Sequence, residues 1–350
     1  MAANCGAVLH GPYDVRIEDI LMPEIGGDEV LVKMDCVGIC GSDVKLYTTG
    51  CCGLDVLTEP IVIGHEGAGV VVKTGSRVTS LVAGDRVSIE PTQPCRACEY
   101  CKLGRYNLCV APRYCSSMGV DGNLCRYYKH VADFCHKMPE DLSMEEGAAV
   151  QPLAIAMHAC NRAGIRLGQR VLILGAGPIG VLCAMTAKAM GASQILMTDV
   201  VQSRLDTAHE LCGAGLCTML VKRDSPEQEM VDNIQGLLGQ PDVTIDACAY
   251  ASAQRVAMMV TKTAGVVLVV GIGDSKVEVP LTQALLREVD VRGSYRIVNT
   301  YPSALAAVDS GAINLKKFIT HHFPLQRTKE ALELAKSGDA MKIIIHLDWS

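Results

Sequence analysis

Two patterns of apolar and polar residues divide the chain. Up to about residue 150, short apolar runs are broken by Gly and Pro, which is typical of β-strands joined by turns. The strands predicted in this region cover residues 30–37, 61–63, 68–73 and 86–90. From about 168 to 290, strand-like runs at 171–174, 195–198, 219–221, 243–248 and 266–270 alternate with helical stretches. This alternation predicts a parallel, doubly wound sheet. The tail is predicted to be helical at 302–310 and extended at 318–323.

Length and charge narrow the class of protein. The chain has 350 residues, which favours two domains, and its formal net charge of -6 speaks against a nucleic-acid partner. The uncharged stretch at 171–187 is shorter than the ~20 residues of a spanning helix, so no membrane partner is expected. The N-terminus carries Asp14, Arg16 and Glu18 and has no apolar signal core. We therefore expect a cytoplasmic protein.

The cysteines point to metal. There are 17 of them, and in a reducing compartment clustered cysteines bind metal more often than they form disulfides. The spacing of Cys95, Cys98, Cys101 and Cys109 lets one loop wrap a tetrahedral ion with no position left for water, which predicts a structural zinc site. The alternative is four unligated thiols on a loop.

A glycine-rich turn at residues 175–180, GAGPIG, joins the strand at 171–174 to a helix. Gly175 permits the tight turn, Gly177 lets backbone amides approach a pyrophosphate, and Gly180 allows the helix to pack closely on the strand. Asp199 lies 19 residues after Gly180, where a carboxylate accepts the ribose hydroxyls and repels a 2'-phosphate. The unit predicts NAD rather than NADP, and Arg204 is close enough in sequence to complicate that preference.

The cysteine lobe, the GHE segment at 64–66 and the glycine-rich unit resemble, in this order, the zinc-dependent medium-chain alcohol dehydrogenase family. The likeness covers essentially the full length and is greatest for the sorbitol (polyol) dehydrogenase branch. The matching segments are GICGSDV at 38–44, IGHE at 63–66, DGNLCR at 121–126, ADFCHK at 132–137, HAC at 158–160, VTID at 243–246 and REVD at 287–290. The resemblance implies an α/β fold with a GroES-like β-rich catalytic domain at 1–155, a Rossmann cofactor domain at 156–292 and a return to the catalytic domain at 293–350. It also implies a homotetramer.

The resemblance also implies the site. Cys40, His65 and Glu66 would hold a catalytic zinc, although their spacing alone does not join them, and the four-cysteine lobe would hold a second zinc. Such an ion with an open position polarises a substrate oxygen while a hydride moves to or from the nicotinamide. The residues expected to act in catalysis are Ser42, Glu66, Gln151 and Arg296. Those expected to contact the cofactor are Gly175, Gly177, Ile179, Gly180, Asp199, Arg204, Gly271, Ile272, Tyr295 and Arg296. Ser42 is the expected first hydroxyl of a proton path, with a turn-capping serine as the equal alternative.

Four positions depart from the branch. Gln151 stands where the branch has a glutamate, Ile297 and Leu46 stand where it has tyrosines, and Lys45 stands where it has a histidine. Of the four side chains that hold a polyol in the branch, Arg296 alone remains. These departures predict a more apolar pocket, with sorbitol activity weak or lost.

Three functions compete. The leading prediction is a zinc- and NAD-dependent oxidoreductase that interconverts a polyol or secondary alcohol and its ketone. The alternative is a catalytically impaired descendant that serves as a nucleotide-binding or structural protein, since a fold does not fix a function. A zinc-finger nucleic-acid binder fits poorly with an acidic chain that carries a complete dinucleotide unit.

Overall fold

The computed structural model describes residues 3–53 and 55–347. The chain divides into two compact units: unit 1 comprises Met1–Gln151 and Tyr301–Ser350, and unit 2 comprises Pro152–Thr300. The domain boundaries were predicted at residues 155 and 292, and the two units divide after residues 151 and 300. The long helix Met144–Ala163 runs through the first of these boundaries, so no loop or composition change marks it in the sequence.

Unit 1 is mostly β-structure. Its strands are β1 (Asn4–Gly11), β2 (Asp14–Ile20), β3 (Glu29–Ile39), β4 (Cys51–Cys52), β5 (Asp55–Val56), β6 (Ile61–Val62), β7 (Glu66–Thr74), β8 (Arg86–Ile89), β9 (Thr92–Gln93), β10 (Arg113–Tyr114), β11 (Tyr127–Val131), β12 (Cys135–Lys137), β19 (His321–Pro324) and β20 (Ile343–His346). Its helices are α1 (Gly41–Thr49), α2 (Glu99–Lys102), the start of α3 (Met144–Ala163), α9 (Tyr301–Asp309) and α10 (Thr328–Ser337), with short 3-10 turns at Tyr106–Leu108, Ala132–Phe134 and Leu325–Arg327.

The main sheet of unit 1 has seven strands in the order β12-β8-β7-β3-β20-β19, with β11 also pairing with β3. In the central strand β3, exposed Lys33 and Asp35 alternate with buried Met34 and Cys36, as expected when one face of a strand lies in a core. The returning tail adds β20 beside β3, so residues near position 345 meet residues near position 37. This long-range pairing builds the site described below.

Unit 2 is an α/β layer structure. Its strands are β13 (Arg170–Leu174), β14 (Gln194–Asp199), β15 (Leu216–Leu220), β16 (Val243–Asp246), β17 (Val266–Val269) and β18 (Asp290–Gly293), and its helices are the rest of α3, α4 (Pro178–Ala189), α5 (Gln202–Cys212), α6 (Glu227–Leu238), α7 (Ala251–Val260) and α8 (Leu281–Leu285). All neighbouring strands are parallel, in the order β15-β14-β13-β16-β17-β18. The predicted α/β fold class with a parallel, doubly wound sheet is confirmed.

Two predicted strands were misplaced. The strand expected at 219–221 is β15, which begins at Leu216 and ends at Leu220. The extended segment expected at 318–323 begins only at His321, because the Phe318 N–H donates to Leu315 O in a local turn. Phe318 is fully buried, so its apolar character reports burial and not a strand. Within residues 3–53 and 55–347, no helix combines the length with the apolar character that crossing a membrane requires.

Candidate active site and cofactor site

Cys40, His65 and Glu66 meet where β3 ends and β7 begins. Their ligand atoms all lie within 4.8 Å of one another, and two of the three residues are buried. The antiparallel pairing of β3 with β7 sets Gly38 opposite Glu66, which brings Cys40 to the other two residues. A Cβ at Gly38 would lie 2.2 Å from Glu66 Oε2, so this position in β3 requires glycine.

Asp43 connects Cys40 to His65 and was missed by the sequence analysis. Its Oδ2 accepts the Cys40 N–H at 2.9 Å, and its Oδ1 lies 3.3 Å from His65 Nδ1. The contact occupies Nδ1 and leaves Nε2 of His65 for a metal, as is usual for metal-binding histidines. Burial lowers the pKa of His65, but Asp43, Tyr114 and Cys40 outweigh it and hold that pKa well above its usual value. Metal binding at Nε2 would therefore release a proton.

Glu66 is completely buried and has one oxygen free for a ligand. Its Oε2 accepts a hydrogen bond from Lys342 Nζ at 2.6 Å, and the same Nζ donates to Ile39 O at 3.0 Å. Among the residues that the structure describes, none makes a hydrogen bond to the other oxygen, Oε1, although that atom is buried. Buried polar atoms are normally paired. A sulfur, an imidazole nitrogen and an unpaired carboxylate oxygen within one small volume fit a zinc ion with an open coordination position.

A tyrosine connects Gln151 to this metal group. Gln151 is 3% exposed, its Nε2 donates to the Tyr114 hydroxyl at 3.3 Å, and the Tyr114 ring centroid lies 5.8 Å from that of His65. Ser42 is half-buried in the first turn of α1, and Leu46, one turn later, packs in the hydrophobic core of unit 1. Gln151, which stands where the branch has a glutamate, is therefore linked to the metal group through Tyr114.

The four cysteines of the lobe gather as the spacing predicts. Their sulfurs lie within 4.8 Å of one another, with Cys98 Sγ 3.5 Å and Cys95 Sγ 4.0 Å from Cys101 Sγ. A tetrahedral zinc with Zn–S bonds of ~2.3 Å requires sulfurs about 3.8 Å apart. Backbone N–H groups of Val110 and Cys101 lower the pKa of Cys98 to about 6, which favours the thiolate form, whereas burial raises the pKa of Cys101 to about 12. The lobe therefore fits a structural zinc.

The glycine-rich turn follows β13 in unit 2. The strand order reverses at β13, because β14 lies on one side of it and β16 lies on the other. Dinucleotides bind at such switch points. A Cβ at Gly180 would lie 2.0 Å from Gly175 O, whereas a Cβ at Gly177 would enter open space at the N-terminus of α4, where a pyrophosphate could bind. Asp199 ends β14, and its oxygens accept the N–H groups of Ala176 at 2.7 Å and Val201 at 2.9 Å. These bonds fix the carboxylate beside the turn, and the arrangement fits NAD.

The other predicted cofactor residues lie on the same unit. Ile179 is in the first turn of α4, and Arg204 is in the first turn of α5. Gly271 follows β17, and a Cβ there would lie 2.8 Å from Ala249 N. Ile272 is 73% exposed and Tyr295 is 49% exposed. Arg296 has the left-handed backbone angle φ of 54° and stacks its guanidinium on the Tyr295 ring at 5.0 Å, while Ile297 is fully buried.

Known proteins show the same two parts. The family described as "Alcohol dehydrogenase GroES-like domain" matches residues 26–140, and "Zinc-binding dehydrogenase" matches residues 178–310. The chain is 71% identical to a sorbitol dehydrogenase of Bombyx mori over 99% of both chains. The chain belongs to the zinc-dependent medium-chain alcohol dehydrogenase family.

The chain is also 45% identical to sorbitol dehydrogenase of Bos taurus, over 99% of this chain and 96% of the relative. The structure of L-idonate 5-dehydrogenase from Escherichia coli superposes with a TM-score of 0.89 at 29% identity, over 99% of both chains. The predicted family and branch are confirmed.

Three residues of the metal region were missed. A signal for Asp43 existed, since it is the third residue after Cys40 at a helix start, where acidic side chains cap backbone N–H groups. Tyr114 and Lys342 carry no local signal, because each reaches the site only through pairing with strands distant in sequence.

Proposed function

We propose that the chain is a zinc- and NAD-dependent dehydrogenase that interconverts a polyol, or a less hydroxylated secondary alcohol, and its ketone. The observation that carries this proposal is the meeting of Cys40, His65 and Glu66 around a buried carboxylate oxygen that lacks a protein partner among the described residues. The names of the relatives support the polyol class. Nothing in the described part of the chain favours the alternative of an impaired, structural descendant.

The proposed roles follow from the contacts. Cys40, His65 and Glu66 hold the catalytic zinc, and Cys95, Cys98, Cys101 and Cys109 hold the structural one. Bound zinc supplies a Lewis acid that favours the alkoxide form of the substrate, and bound NAD supplies the hydride acceptor. Asp43 orients the His65 ring, and Lys342 holds Glu66 by one oxygen so that the other stays available.

Three further residues handle the substrate and its proton. The half-buried Ser42 hydroxyl, two residues after Cys40, takes the proton that the alcohol loses and passes it toward solvent. Gln151 donates and accepts hydrogen bonds but takes up no proton, so it positions a hydroxyl or a water. Arg296 presents the one polyol-binding side chain that this sequence shares with its branch. The placement of Leu46 and Ile297 in the substrate pocket stays a prediction.

On the cofactor side, Gly175, Gly177, Ile179 and Gly180 form the pyrophosphate turn, Asp199 binds the ribose with Arg204 nearby, and Gly271, Ile272, Tyr295 and Arg296 border the nicotinamide half. The positive end of α4 stabilises the two phosphates. The Asp199 carboxylate disfavours a 2'-phosphate at the same place, so NAD binds more tightly than NADP.

A homotetramer in the cytoplasm completes the proposal. Strand β18 is the last strand of its sheet, and apolar side chains are exposed on it, on the preceding helix and at the C-cap of that helix: Val291 at 45%, Leu281 at 63%, Leu285 at 72% and Leu286 at 79%. Exposed apolar side chains grouped in this way favour contact with another subunit. The 17 cysteines all lie within the described residues and none of them forms a disulfide, which suits a reducing compartment. Light scattering on the purified protein tests the assembly, and a monomeric mass would contradict it.

The test of function is NADH formation by the zinc-loaded protein with sorbitol, xylitol and 2,3-butanediol, each with NAD and with NADP. We expect turnover with at least one polyol or diol and a higher kcat/KM with NAD. Weak turnover of sorbitol beside strong turnover of a less hydroxylated substrate would support the altered pocket. A flat response across the panel, from protein that binds NADH and zinc, would refute the enzymatic proposal.

A further inference from the structure

A third group of metal-binding side chains lies outside both zinc sites. It consists of Glu145, His322 and His346, whose ligand atoms lie within 4.8 Å of one another. His322 is on β19 and His346 is on β20, and the parallel register places His322 opposite Ile344, two residues before His346. The two imidazoles therefore share one face of the sheet as diagonal neighbours. Glu145 lies in the first turn of α3.

Three atoms of this group form a nearly regular triangle. His322 Nδ1 lies 3.0 Å from His346 Nε2, and Glu145 Oε1 lies 3.4 Å from the first nitrogen and 3.2 Å from the second. An ion with tetrahedral bonds of ~2.0–2.1 Å to nitrogen and oxygen needs ligand atoms about 3.3 Å apart. The triangle therefore has the size of one face of a zinc coordination shell.

Hydrogen bonds alone do not account for all three contacts. A ring nitrogen is either a donor or an acceptor, so protons placed on these atoms satisfy at most two sides of the triangle at once. One cation at the centre is attracted by all three lone pairs. The side chains of Glu145, His322 and His346 are 34%, 47% and 28% exposed, which gives an ion a path from solvent and leaves room for a water as fourth ligand.

We propose that Glu145, His322 and His346 bind a third divalent transition-metal ion, with Zn²⁺ as the best fit. Two imidazoles and a carboxylate are ligands that Zn²⁺ uses in proteins. The ion joins the start of α3 to the two C-terminal strands of unit 1 and so fastens the returning tail. Because it binds only the folded arrangement, it stabilises the protein by an amount that grows with the logarithm of the free Zn²⁺ concentration above the dissociation constant.

The test is zinc counting on the whole protein after dialysis against buffered free Zn²⁺. Wild type is expected to hold three ions per chain. His322→Gln and His346→Gln are expected to hold two, because each substitution should lower the affinity of the third site for Zn²⁺ at least about 100-fold relative to wild type. Glu145→Gln is expected to weaken the same site at least about tenfold. The matched control is His321→Gln. His321 directly precedes His322 on β19, but its Nδ1 contacts Thr320 Oγ1 at 2.9 Å and is not part of the group of Glu145, His322 and His346.

Cobalt gives an independent readout. Co²⁺ bound by thiolates at the first two sites has a sulfur charge-transfer band, whereas Co²⁺ at the third site adds only weak visible bands. Once the catalytic and structural sites are loaded, further Zn²⁺ should raise the Tm of wild type and His321→Gln, but not that of His346→Gln. Wild type that holds only two ions, or variants at Glu145, His322 and His346 that match His321→Gln, would overturn the proposal. NADH formation should be equal in all of them, so failure here is distinct from failure of the proposed function.

Discussion

The buried ion pair between Lys342 and Glu66 offers a quantitative test of the metal region. Lys342 is 4% exposed, Glu66 is completely buried, and their charged atoms are 2.6 Å apart. Lys342→Met keeps the volume of the side chain but removes the charge and the hydrogen bond to Ile39 O. Removing one member of a buried pair leaves an uncompensated charge and costs about 3–5 kcal/mol. We expect a loss of that size in the free energy of unfolding of protein from which the catalytic zinc has been removed, because bound zinc would itself compensate the Glu66 charge.

Urea unfolding followed by circular dichroism measures this loss, with zinc content determined on the same samples. Lys336→Met is the matched control, because Lys336 and Glu333 form a surface pair at 3.3 Å with both side chains more than 40% exposed, and its unfolding should hardly change. The double variant Lys342→Met, Glu66→Gln should lose less stability than Lys342→Met alone, since no charge is left unpaired. A loss for Lys342→Met no larger than that of Lys336→Met would show that water reaches the pair and would refute the reasoning.

Three further predictions concern the second zinc and the cofactor. Cys98→Ser should lose one zinc per chain and several degrees of Tm, because zinc binding is coupled to folding. The control Cys217→Ser, at an exposed cysteine, should lose neither, and equal zinc content in the two variants would contradict the prediction. Gly180→Ala should weaken NADH binding at least tenfold in a fluorescence titration, because its Cβ would lie 2.0 Å from Gly175 O and overpacking of this kind costs about 1–3 kcal/mol; an unchanged Kd would show that the turn adjusts. Asp199→Ser should reduce the preference for NAD over NADP about tenfold or more, measured as the ratio of kcat/KM values, and a constant ratio would assign the preference to other residues.

The sequence predicts best where the chemistry is local. The glycine-rich turn, its helix and Asp199 lie within 25 consecutive residues, and the hydrogen bond between Asp199 and Ala176 forms within one strand-helix-strand unit. The cysteine lobe is equally local. The extended segment expected at 318–323 was misplaced because the buried apolar residue Phe318 lies in a turn, whereas the strand expected at 219–221 overlaps only the end of β15.

The catalytic metal group is not local. Cys40 and His65 meet through the pairing of β3 with β7, and Lys342 meets Glu66 because β20 lies beside β3. Periodicity contains no information about which distant strands pair, so family resemblance was needed to join the ligands, and Lys342 was not predicted at all. The triangle of Glu145, His322 and His346 was missed for the same reason.

The most direct test of the proposed active site is the pair of variants Cys40→Ser and Cys217→Ser. Both remove one thiol, but Cys40 belongs to the metal group at the end of β3, whereas Cys217 is an exposed cysteine on β15. The measurement is zinc content together with NADH formation from the best substrate at equal protein concentration. Cys40→Ser should keep its fold and its structural zinc, lose the catalytic zinc and lose nearly all NADH formation, while Cys217→Ser should match wild type. A Cys40→Ser protein that holds the same zinc as wild type and turns over at the same rate would contradict the assignment of Cys40, His65 and Glu66 as the catalytic centre.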